Sequence, residues 1–418
     1  MAWNLTRRCN LACAHCYIAA GDWHTGQEEL DTAACVRIVH EIADLNPGTM
    51  LVLSGGEPLV RPDLETLAAE ASGRGCTVVV GTNGTELAPR RIESLRTAGV
   101  SGFAVSIDSL DARYHDRFRH GSGSLEATRN SVARLVAAEL DVVVQMTITD
   151  GNRHELAKVA AWAADQGAMA FNVYFVVGTG RGSGLREMTP DRNEEALREI
   201  VALERAYRGH MLVRSKCMPQ IMRLAVGEAP DSSLRRYATR CPCGLQYCRI
   251  TPDGKVTPCP YNPLEAGDLR RESFSDVWRD SPLFARLREE LPGGKCGVCE
   301  YREVCGGCRA RAYARTGDLM AADESCAYEP TGDVSVLRAS NGGTYGDAPA
   351  RELRWDAAAE ERLRRIPSFV RGVVAERVET YARRTGADVV TSELMTRVRE
   401  ELPVDFSRRR PFFLGRRS

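Results

Sequence analysis

An alternation of short β-rich runs with amphipathic, helix-length segments over residues 2–180 restricts the fold more than any other feature of this chain. Most of the β-rich runs are continuously apolar, as expected for parallel strands that are buried on both faces. The six candidate strands are Ala2–Thr6, Met50–Ser54, Thr77–Gly81, Gly102–Ile107, Val142–Thr149 and Phe171–Val177. Six strand-then-helix units imply a parallel sheet with right-handed crossovers, but a closed barrel needs eight units. The sequence therefore predicts an α/β fold with an open, partial (β/α)6 barrel.

Beyond this segment the composition changes twice. Residues 241–326 are loop-rich and contain nine of the 15 cysteines. Residues 331–351 are rich in Gly, Ser and Ala, which is typical of a linker, and from Trp355 onward apolar residues recur at helical spacing. We predict a barrel over residues 1–210, a cysteine-rich domain over 211–330, a linker over 331–351, a small all-helical domain over 352–405 and a basic tail over 406–418.

The charge balance excludes several classes of function. The chain has 56 basic and 56 acidic residues, so no global field attracts it to nucleic acid or to an anionic membrane. No run approaches the ~18 consecutive apolar residues of a membrane helix, and polar residues interrupt the N-terminus where a secretory signal is apolar. We therefore predict a cytoplasmic protein that binds neither nucleic acid nor membrane. In reducing cytosol its cysteines favour metal or redox chemistry over disulfides.

Three cysteines lie directly after the first strand, at the edge where α/β barrels carry their active sites. Cys9, Cys13 and Cys16 are separated by three and two residues, so one tight loop can present three thiolates together. A four-iron cluster ordinarily takes four cysteines, and three would leave one iron with an open position. A structural zinc site completed by His15 is the alternative that these residues alone leave open.

Short polar or glycine-rich motifs follow the later strands. Each is a common turn by itself, but the carboxyl ends of parallel strands meet at one edge, so together they predict one site. The motifs are SGGEP (Ser54–Pro58), TNG (Thr82–Gly84), SIDS (Ser106–Ser109), Gln145 with Thr147, and VGTGRG (Val177–Gly182).

The C-x3-C-x2-C run followed by Tyr17, with these motifs in this order, resembles the signature of the radical S-adenosylmethionine (SAM) enzymes. The resemblance implies a [4Fe–4S] cluster whose open iron chelates the amino and carboxylate groups of SAM. One electron from a ferredoxin- or flavodoxin-type donor would cleave SAM to methionine and a 5′-deoxyadenosyl radical, which takes a hydrogen atom from the substrate. The implied cofactor contacts are Tyr17 at the adenine, Gly55, Gly56, Glu57 and Pro58 at the methionine amino group, Ser106 and Asp108 near the ribose, and also Thr82, Asn83 and Gln145.

The later cysteines follow a second pattern, C-x12-G-x4-C and then C-x2-C-x5-C-x2-C with a final cysteine at 326. This resembles the SPASM extension, which holds one or two auxiliary iron–sulfur clusters, although that family often has three residues in the last gap. Paired zinc sites are the alternative that the spacings alone leave open. The resemblance implies an outer cluster at Cys296, Cys299, Cys305 and Cys326, and an inner cluster at Cys241, Cys259 and Cys308 with Cys248 or Cys243 as the fourth ligand.

Three cysteines stand apart from both patterns. Cys35, Cys76 and Cys217 have no cysteine neighbours in the sequence. Free cysteine is among the most buried residue types and packs as a small apolar side chain. We therefore predict that these three are core residues.

Two further stretches point to a substrate. CRITPDGKVTPCPY (Cys248–Tyr261) and CGGCRARAYARTGD (Cys305–Asp318) resemble the branch that trims or oxidatively decarboxylates tetrapyrroles in alternative heme and heme d1 biosynthesis. Trp355–Met395 resembles the small helical domain of light-independent protochlorophyllide reductase, another tetrapyrrole enzyme; a packing or dimerisation cap is the alternative. The peptide maturases of mycofactocin and pyrroloquinoline quinone share much of this sequence pattern, so a peptide substrate remains an alternative.

A ring with several carboxylates should meet arginines, whose planar fork matches a carboxylate. The candidates are Arg119, Arg181, and Arg309 or Arg311 beside the auxiliary cysteines. His24 is a candidate axial ligand for a heme iron. Against a peptide substrate, no leader-binding domain precedes the first strand, and Pro260 and Tyr261 follow Cys259 where sulfatase maturases place a catalytic aspartate.

Overall fold

Seven parallel strands form the centre of the molecule, in a computed structural model that describes residues 1–400 except 27, 230, 231, 233, 236–239, 333–351, 365 and 367. The strands pair in chain order, which confirms the predicted parallel sheet. The predicted linker lies almost wholly outside the described residues, as does the basic tail. The strands are β1 (Ala2–Asn4), β2 (Met50–Ser54), β3 (Thr77–Thr82), β4 (Val100–Ser106), β5 (Asp141–Ile148), β6 (Ala170–Phe175) and β7 (Leu212–Lys216).

The seventh strand is absent from the sequence prediction. In β7 only Val213 is buried, and charged residues occupy positions 214 and 216, so the strand lacks the apolar run that marks the other six. It pairs in parallel with β6 along its whole length. The predicted barrel range of residues 1–210 therefore ends one strand too early.

Helices cover the outer face of the sheet and bury its apolar side chains. Asp31 begins the first helix by accepting a hydrogen bond from the Ala34 N–H at 2.8 Å. Trp3, Ile38 and Leu53 belong to the main core beneath these helices. The barrel helices are α1 (Thr32–Leu45), α2 (Leu64–Gly73), α3 (Pro89–Thr97), α4 (Ala112–Arg119), α5 (Ser124–Ala137), α6 (Leu156–Asp165), α7 (Pro190–Ala206) and α8 (Ile221–Gly227).

The inner face of the sheet changes from apolar to polar along the strands. Ala104, Val143 and Ala170 form a small apolar cluster near the strand starts. Two residues further along each strand, the register aligns Ser106, Gln145, Asn172 and Arg214 in one row. Thr147, Tyr174 and Lys216 form the next row. The carboxyl ends of the strands therefore open into a polar interior.

The cysteine-rich domain continues the same sheet at its other edge. Its first strand, β8 (Arg249–Ile250), pairs in parallel with β1, and β9 (Lys255–Thr257) and β10 (Gly267–Asp268) follow antiparallel. The ten-stranded sheet is open, because β7 and β10 lie at opposite ends of the strand order. Loops connect the remaining elements, which are α9 (Phe274–Asp280), α10 (Pro282–Glu289), α11 (Gly294–Val298) and α12 (Arg309–Thr316).

The C-terminal unit contains a small parallel strand pair besides its helices. It consists of β11 (Arg354–Trp355), α13 (Ala357–Arg364), α14 (Ser368–Arg384), β12 (Val389–Val390) and α15 (Ser392–Glu400), so all-helical was an incomplete description. Leu363, Val378 and Met395 belong to its own core. Thr391 caps α15, accepting from the Leu394 N–H at 3.2 Å.

The C-terminal unit touches the barrel away from the strand carboxyl ends. Arg371 donates to the Pro47 carbonyl at 2.6 Å, in the loop before β2. That loop lies at the amino ends of the strands, opposite the edge where the N-terminal cysteines follow β1. Among the described residues, no helix is long and apolar enough to cross a bilayer.

Candidate active site

The three N-terminal cysteines lie in a loop over residues 7–21, held by backbone hydrogen bonds. The Cys9 N–H donates to Gly21 O, and the Gly21 N–H returns to Arg7 O, both at 3.1 Å. Two backbone donors point at sulfur: the Leu11 N–H at Cys9 Sγ (3.4 Å) and the Ala20 N–H at Cys16 Sγ (3.3 Å). Burial raises the pKa of the Cys9 thiol to about 12. A metal must therefore displace its proton, and the N–H donors then stabilise the thiolate.

His15 does not join these cysteines. Its ring stacks on Phe118, with centroids 4.6 Å apart, and its Nδ1 is buried without a hydrogen-bond partner. Among the described residues, no three His, Cys, Asp or Glu side chains converge closely enough to hold a single metal ion. The His15 ring therefore packs on Phe118 and forms no zinc site with the cysteines among the described residues.

The SGGEP loop lies directly against the cysteine loop. The Gly56 N–H donates to Thr6 O at 2.7 Å, and the Glu57 N–H donates to Arg8 O at 2.9 Å. A Cβ on Gly56 would lie only 2.2 Å from Arg8 O, so a side chain would force the two loops apart. The glycine is needed for this close backbone approach.

Glu57 joins the SGGEP and TNG loops. Its side chain is fully buried and accepts from Leu59 N (3.1 Å), Thr82 Oγ1 (2.9 Å) and Asn83 N (2.8 Å). Asn83 in turn donates to Asn10 Oδ1 at 2.7 Å, inside the cysteine loop. The carboxylate thus organises the loop network, and its predicted contact with the SAM amino group stays a prediction, as do those of Gly55 and Pro58.

Asp108 and Arg119 form a buried ion pair. Arg119 Nη2 and Nε lie 2.7 and 2.8 Å from Asp108 Oδ2, and the Thr147 N–H donates to Oδ1 at 2.8 Å. Burial alone would raise the pKa of Asp108, but Arg119 and the neighbouring histidines hold it below its usual value. Arg119 was predicted to contact substrate; the structure commits its guanidinium to Asp108 instead. The predicted ribose contacts of Ser106 and Asp108 stay predictions.

Four tyrosines lie near one another between β1, β6 and the cysteine-rich domain, and the space that they border is here called the chamber. Tyr17, Tyr174, Tyr247 and Tyr261, here called the tyrosine wall, keep partial exposure although burial raises the pKa of every one. The rings of Tyr17 and Tyr261 are 5.2 Å apart. Asn4 donates to Tyr17 Oη at 2.7 Å, and Gln145 donates to Tyr174 Oη at 3.3 Å. The predicted contact of Tyr17 with adenine stays a prediction.

Basic groups lie beside the tyrosine wall. Burial, with Arg214 nearby, lowers the pKa of Lys216 to about 8. Arg249 donates to Pro260 O at 2.9 Å, and its buried Nε has no partner in the structure. These residues were missed because they belong to β7 and β8, two strands that the apolar pattern did not reveal.

Arg181 is the predicted arginine that keeps free donors. Its Nε donates to Cys13 O at 2.8 Å, and its guanidinium lies 5.4 Å from the centre of the Trp23 ring. Its Nη1 and Nη2 are buried without partners. A carboxylate of a bound molecule would satisfy both nitrogens.

The other candidate substrate contacts have partners within the chain. Arg309 Nη1 donates to Leu319 O at 3.0 Å and Ala321 O at 2.7 Å, which braces the loop beside the outer cysteines, while its buried Nη2 has no partner. Its predicted contact with the substrate stays a prediction. Arg311 is buried and donates to Val176 O at 3.0 Å. His24 lies 3.3 Å from the carbonyl oxygen of Ala19.

The four cysteines predicted for the outer cluster line one pocket, together with Arg223 and Lys295. The Asp323 N–H donates to Cys296 Sγ at 3.3 Å, a contact that suits a thiolate ligand. The residues present fit a four-iron cluster. They are Cys296, Cys299, Cys305 and Cys326.

The inner cysteines form a second group, which includes one cysteine that was predicted for the core. Cys259 and Cys308 pack in one cluster with Cys217, which is therefore not an isolated core residue. Cys241 Sγ lies 3.4 Å from Cys243 Sγ. Cys248 belongs to the main core beneath the sheet, where its carbonyl accepts from the Ala2 N–H. Cys248 precedes β8, and the charged groups that act on its pKa are the chain N-terminus and Arg288; its predicted role as a ligand stays a prediction.

Comparison with known proteins explains this double arrangement. The chain matches the Radical SAM superfamily over residues 3–163, the SPASM iron–sulfur cluster-binding domain over 241–309 and the proto-chlorophyllide reductase 57 kD subunit over 355–399. An AdoMet-dependent heme synthase of Methanosarcina barkeri is 37% identical over 341 residues, which cover 79% of this chain and 96% of that protein. The chain belongs to this radical SAM family.

Two further similarities place the enzyme within the family. The PqqA peptide cyclase of Methylocella silvestris is 31% identical over 340 residues, covering 79% of this chain and 87% of that protein. The crystal structure of Streptococcus suis SuiB bound to S-adenosylmethionine superposes with a TM-score of 0.63 at 14% identity, covering 78% of this chain and 76% of that one. The heme synthase is thus the more similar of the two relatives, and SuiB shares the fold.

This radical SAM enzyme uses a [4Fe–4S] cluster with one open iron, SAM, and auxiliary iron–sulfur clusters. The donor set fits them, because backbone N–H groups already point at Cys9, Cys16 and Cys296. When bound, these groups supply a hydrogen-abstracting radical on one side of the chamber and a one-electron acceptor on the other. The chain's own residues shape the chamber between them.

Proposed function

We propose that this enzyme uses a 5′-deoxyadenosyl radical to remove or oxidatively decarboxylate a carboxylate-bearing side chain of a tetrapyrrole. The observation that carries the proposal is the chamber bounded by the tyrosine wall and by basic side chains. Tyr17 directly follows Cys16, and Tyr261 lies two residues after Cys259. The chamber therefore borders both the N-terminal cysteine loop and the inner cysteines.

The chemistry of the lining suits a flat ring with acidic substituents. Aromatic faces such as those of Tyr17 and Tyr261 bury large planar surfaces well. Lys216, Arg249 and Arg181 supply positive charge at the rim, and partnerless nitrogens remain on the last two. In a site of low polarity such charges bind carboxylates strongly and fix the orientation of the ring.

Orientation decides which carbon reacts. A carboxylate held by Arg249 or Lys216 at the wall would place its side chain at a fixed depth below the cysteine loop. After hydrogen abstraction, loss of carbon dioxide leaves one surplus electron on the substrate, and the inner cysteines border the chamber where that electron must leave. The tyrosine wall excludes water, which protects the intermediate from side reactions.

The physiological setting follows from the same chemistry. Oxygen-sensitive clusters and a strong one-electron reductant indicate the reducing cytoplasm. We propose a ferredoxin- or flavodoxin-type donor, with no nucleic-acid or membrane partner. The related heme synthases support the tetrapyrrole and not a peptide as substrate.

The test is an anaerobic turnover assay on the full chain. The clusters are reconstituted, dithionite and SAM are added, and iron-coproporphyrin, siroheme-derived rings and a candidate precursor peptide are offered separately. We expect 5′-deoxyadenosine and a decarboxylated ring only with a tetrapyrrole. Turnover of the peptide alone would show that the substrate class is wrong.

Matched variants locate the binding groups. Arg249→Met and Lys216→Met should each raise KM for the ring at least about tenfold, as expected from loss of a charge-assisted contact of about 1.4 kcal/mol or more. Arg271→Met, whose side chain is 85% exposed, is the control. Unchanged KM in both chamber variants would show that the ring binds elsewhere.

A further inference from the structure

Five cysteines meet in the inner auxiliary region, one more than a four-iron cluster takes. Cys259 and Cys308 pack against Cys217, and Cys241 and Cys243 contact one another at 3.4 Å between their sulfurs. Only three of the five belong to the cysteine pattern of the auxiliary domain, namely Cys241, Cys259 and Cys308. The identity of the fourth ligand therefore depends on geometry.

The short distance between the sulfurs of Cys241 and Cys243 argues against both residues being ligands of the same cluster. Ligands to different irons of one cubane are separated by the width of the cluster, whereas 3.4 Å is a contact between a thiol donor and a sulfur acceptor. Cys243 is also fixed in its place, because it forms a bridge with Tyr247 and belongs to the main apolar core. Its geometry suits an S–H group that donates to the sulfur of Cys241.

Cys217 differs from Cys243 in its position in the chain and in its backbone conformation. It lies directly after β7, at the carboxyl edge of the sheet, and not in the cysteine-rich stretch of the sequence. Its φ is +60°, a left-handed conformation that cysteine adopts only when its surroundings impose it. Arg311 holds that conformation by donating to Cys217 O at 2.8 Å, and Arg311 lies three residues after Cys308. The strained backbone thus directs the Cys217 side chain to the packed group of Cys259 and Cys308.

We propose that Cys217 is the fourth thiolate ligand of the inner cluster and that Cys243 is a hydrogen-bond donor to the Cys241 sulfur. With four protein thiolates the inner cluster has no open position, so it accepts an electron without binding the substrate. Cys243 then adjusts its potential, because hydrogen bonds to ligating sulfur change the reduction potential of such clusters. This inference rests on the auxiliary cluster of the proposed function but not on the identity of the substrate.

The test uses a full chain that retains only its auxiliary clusters. The parent carries Cys9→Ala, Cys13→Ala and Cys16→Ala, and Cys217→Ala, Cys243→Ala or Cys76→Ala is added to it. Each protein is reconstituted anaerobically, and iron, sulfide, Mössbauer and EPR spectra are measured together with a redox titration. Cys76 is a buried cysteine in the main core and serves as the matched control.

Cys217→Ala should lose about one to four irons and the EPR signal of one cluster, while the signal of the outer cluster remains and shows that the domain is folded. Cys243→Ala should keep the iron content and shift one midpoint potential, and Cys76→Ala should match the parent. If Cys243→Ala loses the cluster and Cys217→Ala does not, Cys243 is the ligand. If neither loses it, the inner cluster has an open position. Either result overturns the proposal. A parent protein that lacks two auxiliary clusters would show that the inner cluster does not exist. The substrate is tested separately, by turnover of the unmodified chain.

Discussion

The N-terminal cysteine loop and the inner cysteines are built in opposite ways. Cys9, Cys13 and Cys16 come from one continuous loop, closed by hydrogen bonds among its own residues. The inner group comes from four separate segments around residues 217, 241–243, 259 and 308. A local loop can be read from residue spacing, whereas an assembled group depends on how distant elements pack. The comparison also separates two tasks, since the loop leaves an iron open for SAM and the assembled group closes its cluster.

The largest expected effect comes from breaking the local loop. Cys13→Ala should reduce 5′-deoxyadenosine formation below detection, because two thiolates do not hold a four-iron cluster with one open iron. The auxiliary iron should remain, since the other cysteine groups do not depend on this loop. Anaerobic product analysis by liquid chromatography and an iron assay measure both quantities. Loss of the auxiliary iron as well would show that the regions are not independent.

Breaking the assembled group should have a more selective effect. Cys308→Ala should abolish formation of the decarboxylated ring but retain reductive cleavage of SAM, because the N-terminal loop remains intact. The ratio of 5′-deoxyadenosine to ring product, measured over time, should therefore rise by more than about tenfold. This corresponds to a loss of about 1.4 kcal/mol in the free energy that couples SAM cleavage to ring formation. A variant that loses both products in parallel would contradict the separation of tasks.

The next effect concerns the pair that supports the cysteine loop. Arg119→Met should lower the free energy of unfolding by about 3–5 kcal/mol, because it leaves the buried Asp108 carboxylate without its cation. Arg96→Met removes an exposed ion pair with Glu93 and should leave the free energy of unfolding almost unchanged, because solvent screens such pairs. Urea titrations of the apoproteins compare the two. Similar losses in both variants would show that burial of the Asp108–Arg119 pair does not matter.

The smaller of the two expected effects on stability is a pH dependence. His115 is fully buried, and burial together with Arg119 lowers its pKa to about 4 from an ordinary value of 6.5. As the pH falls, the unfolded chain therefore takes up a proton on His115 before the folded chain does. The contribution of the neutral histidine to the free energy of unfolding is thus complete above pH 6.5 and is lost as the pH falls through 4. The loss should approach about 3 kcal/mol.

His115→Phe is the variant that isolates this titration. Its unfolding free energy should be lower at neutral pH, since the Asp108 N–H loses its acceptor Nδ1 at 3.2 Å. Its decline between pH 6.5 and 4 should be smaller than that of the unchanged chain by the histidine contribution. Parallel pH curves for the two proteins would contradict the assigned pKa shift.

Sequence patterns predicted the parts of this molecule that are local. The six apolar strands, the N-terminal cysteine loop and the motifs at the strand ends could be read because each depends on neighbouring residues. The seventh strand was missed because charged side chains at Arg214 and Lys216 face the chamber and interrupt its apolar pattern. Cys217 was predicted as a core residue and Cys248 as a possible ligand, because sequence spacing does not show where a thiol lies relative to the sheet.

The arginine predictions, which stay predictions, show a related limit of sequence patterns. Charge alone does not show whether a guanidinium is already paired, and Arg119 and Arg309 are held by groups of their own chain. Arg181 differs because Cys13 O engages only its Nε and leaves two nitrogens free. Only the fold could reveal that difference.

The pairing of β1 with β8 also sets an order of events during synthesis. Ala2 leaves the ribosome well before its neighbour in the sheet, Arg249, which emerges only after the whole barrel has been translated. Pairing over such a sequence separation is slow, because the chain must close a long loop before the contact stabilises it. The Met1–Asn4 edge therefore stays unpaired on one side of a nascent barrel. If metal is delivered to the neighbouring cysteines during translation, that delivery precedes completion of the sheet.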